Sequence, residues 1–259
     1  APAAENTGII FKRSDLNAEQ SIRALYSNVV DTRNCTCLGT SPHNIVSTIE
    51  HLMATLYILG IDNAEISVNN PEIPILDGSA KVFYEILGKA ELQPQNTPRR
   101  FLKVKKEVKF TDDKGASVTL LPADVCSVHF DIDFPSKIVG HQNFDGAITK
   151  ERFAAEIAQC RTFCEKYQVD YLRSIGLIKG GSLENAVVLD GENILNPEGF
   201  RLPNECVNHK VLDTIGDLYT SGYYILAKVV ANKSGHYHNN EVLKALFASD
   251  DNYEVIEGK

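Results

Sequence analysis

Apolar residues occupy alternate positions along Cys126, Val128, Phe130, Ile132 and Phe134, the period-two pattern of a strand with one buried face. Ala64–Val68 alternates in the same way and predicts a second strand. Ser47 to Ile61 instead follows a helical pattern that stops at Gly60, and Ala80–Leu87 predicts a short amphipathic helix ended by Gly88. Leu102–Phe110 and Ser117–Leu121 flank the turn Asp112-Asp113-Lys114-Gly115 and read as a hairpin. Val187–Leu189, Asp190-Gly191 and Ile194–Leu195 predict a second, tight hairpin. Phe153, Ile157, Cys160 and Cys164 recur at helical spacing, and residues 209–222 and 240–248 read as two more helices. Strands and helices mix without strict alternation, which favours an α+β fold over a doubly wound parallel sheet.

The polar stretch Leu92–Arg100, broken by Pro94 and Pro98, reads as a linker between two domains, residues 1–97 and 98–259. Apolar residues make up 43% of the 259 and charged ones 23%, which excludes a disordered or fibrous chain. Against 26 Lys+Arg stand 34 Asp+Glu, a net charge of −8, the wrong sign for a nucleic-acid binder. The most apolar stretches, Ile45–Ile61 and Tyr223–Ala231, are interrupted by Glu50, His51 and Lys228. They fall short of the roughly 20 residues that span a bilayer, so no stable membrane insertion is expected. Ala1–Asn6 has neither the basic nor the apolar region of a signal peptide. The six cysteines match no zinc-ribbon spacing and are expected as free thiols in a reducing cytoplasm.

Four segments carry candidate chemistry. On a helix, His209, Asp213 and Asp217 fall within about 80° of one another, opposite Val211, Leu212 and Ile215. An imidazole and a carboxylate at i and i+4 can grip one cation, though a solvated polar face has the same spacing. Ser47-x-x-Glu50 fits a capping box, in which Glu50 only caps its own helix. That leaves unexplained His51, set among Leu52, Met53, Leu56 and Tyr57. A His that holds a metal beside a Glu that reaches its water is the alternative. His236 follows Ser234-Gly235 and is either presented into a cleft or a surface loop residue. Gly180-Gly181 permits close backbone approach to a ligand, or simply turns the chain.

Taken together, TIEHLMATLYILGIDNAEISVNNPEIPILDGSA (48–80), HKVLDTIGDLYTSG (209–222) and KSGHYHNN (233–240) resemble the zinc-dependent UDP-3-O-acyl-N-acetylglucosamine deacetylases of lipid A biosynthesis. NVVDTRNCTCLG (28–39), RTF (161–163) and GLIKGGSLENAVV (176–188) extend the resemblance over nearly the whole chain. It implies a zinc site of His51, His209 and Asp213 with an open fourth position, which iron(II) can also occupy. It further implies Glu50 as general base, His236 as the acid for the departing amine, Asp217 orienting that histidine, and Thr162 stabilising the oxyanion.

The implied substrate is UDP-3-O-[(3R)-3-hydroxyacyl]-N-acetylglucosamine. Its acyl chain would thread an apolar insert of about 163–188, lined by Phe163, Val169, Ile178, Leu183 and Val188; ordinary core packing explains those residues too. Lys210 and Lys233 would lie near the substrate, Phe134 would stack on uracil, and Lys114 is a weaker candidate. The implied fold is two α+β domains of similar topology, each a sheet with helices on one face, the helices packed between the sheets. A monomer in the cytoplasm of a Gram-negative bacterium is expected. The family makes its first strands ahead of the position of Ala1, so the first sheet is expected to lack an edge strand. Cys164 replaces a glycine common in the family, and His238 is expected at the surface, although it could compete with His236. The alternatives are a non-catalytic protein binding UDP-sugars or acyl chains on the same fold, and a zinc hydrolase for another acylated sugar.

Overall fold

The first 90 residues build two small sheets and two helices; the computed structural model describes residues 1–16, 21–174 and 180–258. Strands β1 (Ile9–Arg13), β2 (Ser21–Arg23) and β6 (Ala64–Val68) form one sheet in the order β2-β1-β6. Strands β3 (Val29–Asp31), β4 (Cys37–Gly39) and β5 (Ile45–Val46) form another. Helix α1 (Glu50–Leu59) ends on Gly60 at φ +74°, a left-handed cap that glycine adopts without strain. Helix α2 (Lys81–Leu87) follows, and residues 91–99 form no helix or strand. Residues 1–3 run beside β6, where the Ala1 carbonyl accepts from the Glu65 N–H at 2.9 Å.

The larger sheet holds β7 (Arg100–Val104), β8 (Val108–Thr111), β9 (Ser117–Pro122), β10 (Ser127–Asp133) and β11 (His141–Ala147). After the one-turn α3 (Lys150–Arg152) come β12 (Phe163–Glu165), α4 (Lys166–Ser174), β13 (Val187–Asp190) and β14 (Asn193–Ile194). Helix α5 (Glu205–Leu218), β15 (Tyr224–Asn232), α6 (His236–Phe247) and β16 (Tyr253–Glu257) complete the chain. The order is β11-β10-β15-β7-β16, with the β8–β9 hairpin joined through β9 to β15, while β12, β13 and β14 form a separate small sheet.

Two apolar clusters flank the helices. Phe11, Ile22, Leu38 and Met53 lead one; Leu102, Phe130, Phe153, Leu212 and Val242 lead the other. Helix α1 contributes Met53 to the first cluster and Ala54 to the second, and α5 contributes Val211 and Leu212 to the second. The helices therefore lie between the sheets, in the α+β arrangement that the sequence implied. Each fully buried side chain of leucine size contributes about 1.5–3 kcal/mol, and the second cluster, which α1 and α5 share, holds the two helices against each other.

Four local expectations are corrected, and one alternative falls away. Leu102–Phe110 is two strands, because β7 lies between β15 and β16 while β8 pairs with β9, and the chain changes neighbours across Lys105–Glu107. Cys164 does not continue the helical run of Phe153 and Ile157; the Arg161 N–H donates to Glu205 Oε1 at 2.9 Å, and Cys164 falls on β12. Helix α5 begins at Glu205 rather than 209, and α6 at His236 rather than 240. The Ser47–Glu50 capping box does not form: the Ser47 hydroxyl donates to the Pro71 carbonyl at 3.1 Å, and Glu50 is engaged elsewhere.

Candidate active site

The entry into α1 is clamped before the helix starts. The Ser47 N–H donates to the Pro71 carbonyl at 2.9 Å and its carbonyl accepts from Ile73 at 3.0 Å. Thr48 sits at φ +59°, unusual for a β-branched residue, and its hydroxyl donates to Glu72 Oε1 at 2.9 Å. Such strain persists only where the surroundings over-determine it. The result aims Glu50 and His51, on the first turn of α1, at α5. There Gly216 brings the helices together: a Cβ at that position would stand 2.0 Å from the Glu50 carbonyl oxygen.

The facing stripe of α5 carries His209, Asp213 and Asp217, and His236 opens α6. These residues, with Glu50 and His51, are 2–8% exposed, so the solvated-face and surface-loop readings both fail. The side chains fall into two groups of three, His51–His209–Asp213 and Glu50–Asp217–His236, with ligand-type atoms within 4.8 Å of one another in each.

In the first group, His51 Nε2 and His209 Nε2 stand 3.6 and 3.4 Å from the same oxygen, Asp213 Oδ1. Ligands 2.0–2.1 Å from one tetrahedral cation stand about 3.3–3.4 Å apart, so the spacing suits a shared metal ion. His209 Nδ1 donates to the Cys160 carbonyl at 3.0 Å, which leaves its Nε2 lone pair for a metal. Burial pushes the His209 imidazole down to about 3, keeping it neutral as a ligand must be. Burial opposes ionisation of Asp213, but the Lys210 ammonium beside it outweighs that cost and holds the carboxyl well below the usual carboxylate range. Two imidazoles and a buried carboxylate form a donor set that fits zinc or iron(II).

In the second group, His236 Nδ1 donates to Asp217 Oδ2 at 2.8 Å. Burial disfavours the charged imidazole, yet Asp217, with Asp213 and Glu50, raises His236 to about 9. Burial also raises the Glu50 carboxyl, an effect that His236 and His51 partly offset.

Of the substrate candidates, Lys210 lies against the metal-ligand group, its Nζ 3.1 Å from Asp213 Oδ2 and 5.8 Å from the centre of the Phe163 ring. Phe163 meets Phe134 edge-on with ring centres 5.2 Å apart, so the three side chains form one continuous wall. Thr162 is held at the start of β12, its N–H donating to the Gly78 carbonyl and its own carbonyl accepting from Val187, both at 2.8 Å. Val169 and Val188 are buried, Leu183 is exposed, and Ile178 lies outside the described residues. Lys233 points to Asp133 at 2.7 Å, and Lys114 lies in the exposed β8–β9 turn. His238, half-buried rather than on the surface, is turned to that hairpin, its Nε2 3.1 Å from Asp112 Oδ2.

Sequence reasoning missed Thr36, whose N–H meets Glu50 and whose hydroxyl meets Asp217, and Asn239, whose amide donates to Asp217 at 2.8 Å. Both lie inside the recognisable segments 28–39 and 233–240, which was the only signal available. The Cys160 carbonyl was not legible at all. It is held by its neighbour Arg161, 1% exposed, whose Nε donates to Glu205 Oε1 at 2.9 Å.

A family model described as UDP-3-O-acyl N-acetylglycosamine deacetylase (LpxC) matches residues 1–248. A UDP-3-O-acyl-N-acetylglucosamine deacetylase of Phenylobacterium zucineum (strain HLK1) is 43% identical over 256 residues, covering 98% of this chain and 87% of the relative. One of Vibrio parahaemolyticus serotype O3:K6 is 44% identical over 256 residues, 98% of this chain and 83% of its own. The Pasteurella multocida (strain Pm70) enzyme of the same name is 43% identical over 258 residues, with coverages of 98% and 84%. On the match to the family model and on this identity over almost its full length, the chain belongs to the UDP-3-O-acyl N-acetylglycosamine deacetylase family.

Proposed function

We propose that this protein hydrolyses the N-acetyl group of a UDP-3-O-[(3R)-3-hydroxyacyl]-N-acetylglucosamine, releasing acetate and the free amine, in lipid A biosynthesis. The observation that carries this reading is the convergence of His51 and His209 on one oxygen of Asp213, beside a separate buried group of Glu50, Asp217 and His236. His51, His209 and Asp213 would hold zinc, or iron(II) in its place. A bound ion supplies Lewis acidity, polarising the acetyl carbonyl and making a water acidic enough to lose a proton near neutral pH.

The remaining chemistry belongs to side chains. Glu50 takes the proton from the attacking water, a role that its burial and raised pKa suit. His236 enters protonated, since its pKa stands near 9, and gives the proton on Nε2 to the departing nitrogen. Asp217 holds the other ring nitrogen and stabilises the imidazolium. Thr162 stabilises the developing oxyanion. Lys210, Phe163 and Phe134 bind the substrate alongside, with Lys233 at the nucleotide end. The acyl chain takes the insert of about 163–188 within the second α+β unit, 98–259, and the first unit, 1–97, supplies Glu50 and His51. Among the described residues no helix is long and apolar enough to cross a membrane, and the reading is of a monomer acting on its nucleotide-linked substrate in the cytoplasm of a Gram-negative bacterium.

The test is acetate release from a UDP-3-O-acyl-N-acetylglucosamine, with and without a chelator. Turnover that chelation abolishes and zinc restores supports the reading; turnover indifferent to chelation, or absent with zinc present, overturns it.

A further inference from the structure

Thr36 lies one residue before β4, and it is 2% exposed. Its backbone N–H donates to Glu50 Oε2 at 3.0 Å, and its hydroxyl donates to Asp217 Oδ1 at 2.6 Å. Its carbonyl accepts from the Ile49 N–H at 3.5 Å, tying the same residue to the start of α1. One uncharged residue thus spans both carboxylates of the group that includes His236.

Asp217 depends on these donors. Its Oδ2 receives His236 Nδ1 and Asn239 Nδ2, each at 2.8 Å, and Thr36 supplies the donor to Oδ1. A buried carboxylate is stable as an anion only when its oxygens are hydrogen-bonded. The torsion that sets a carboxylate plane is soft, so donors on both oxygens are what fix its orientation. Without the hydroxyl, Asp217 is anchored through Oδ2 alone and can swing about it, taking the His236 ring along.

We propose that Thr36 is a positioning residue for the hydrolysis: its hydroxyl fixes Asp217 and through it the proton-donating ring of His236, while its N–H aims Glu50. The inference rests on the deacetylase reading above. The hydrogen bonds of Thr36 run to Glu50, Asp217 and Ile49 and not to the three metal-ligand candidates, so its loss acts on proton transfer and leaves metal retention intact.

The experiment compares Thr36→Val, Thr36→Ala and Thr36→Ser with the unaltered protein for acetate release from a UDP-3-O-acyl-N-acetylglucosamine. Metal content and thermal melting are read on the same preparations. Val and Ala remove the hydroxyl but keep the N–H; Ser keeps both. The expected result is a fall in kcat of about 10- to 100-fold in Val and Ala, with KM within about threefold. Metal content is unchanged, and Ser recovers most of the lost rate. Ser and Ala both lack the methyl group, so that pair isolates the hydroxyl even if Val does not fold. Ser as slow as Ala, or Ala as fast as the unaltered protein, overturns the inference and leaves the deacetylase reading standing. An unaltered protein that releases no acetate overturns that reading, and the inference with it.

Discussion

His236 Nδ1 lies 2.8 Å from Asp217 Oδ2, a buried bond between the first turn of α6 and the last turns of α5. It gives the two ring nitrogens different surroundings: Nδ1 is held by Asp217, and Nε2 is the nitrogen to which the proposed proton donation falls. It also sets the charge. The folded pKa of about 9 lies above the ordinary value of 6.5, so the ion pair contributes stability in full below that ordinary value. That contribution is lost as pH rises through about 9.

The rate should therefore follow a bell in pH. The alkaline limb reports His236 losing its proton near 9, and the acid limb reports Glu50 above the usual carboxylate value. Asp217→Asn removes the charge that outweighs burial, so the alkaline limb should move to lower pH by about one unit or more. A pH–rate profile with that limb unmoved would separate Asp217 from the acid.

Glu50→Gln keeps size and burial but cannot accept the proton. Turnover should fall by about 10²–10⁴-fold while metal content holds. Elemental analysis of the purified variant decides the point, because metal lost together with rate would make Glu50 a ligand.

Asp213→Ala removes the oxygen on which both imidazoles converge and leaves the Lys210 ammonium without its carboxylate partner. Metal affinity should fall by more than about 100-fold, measured by competition with a chelator. Unchanged affinity would overturn the ligand assignment.

Gly216→Ala tests the helix contact. A methyl group there meets backbone, not a flexible side chain, so α1 and α5 must separate. The expected cost is about 1–3 kcal/mol, a fall in Tm of roughly 2–12 °C. Activity should fall with it, since Glu50 and His51 ride on the displaced turn. A variant that melts and turns over like the unaltered protein would show that the helices adapt without cost.

Much of this was legible along the chain because it is local. The i, i+4 spacing places His209, Asp213 and Asp217 on one face of any helix they form, and the alternation at 126–134 makes a strand in any fold. The Leu102–Phe110 and Cys164 expectations failed where a neighbour distant in sequence intervened. Nothing in the apolar pattern shows that β7 must turn towards β15, or that Glu205 will capture the Arg161 N–H. Glu50 is the clearest instance. Its spacing from Ser47 suits a local cap, yet its carboxylate takes the Thr36 N–H at 3.0 Å instead.

The sequence by itself determined which residue types stand on each helical face and, through long motifs, the family to which they belong. Tertiary structure alone decided that these faces are buried against each other and which donors hold each carboxylate. The physical reason is range. Backbone periodicity is set within a turn or two of chain, whereas the hydroxyl of Thr36 reaches Asp217 across 181 positions. Such a bond exists only once the apolar cluster shared by α1 and α5 has packed the helices in place.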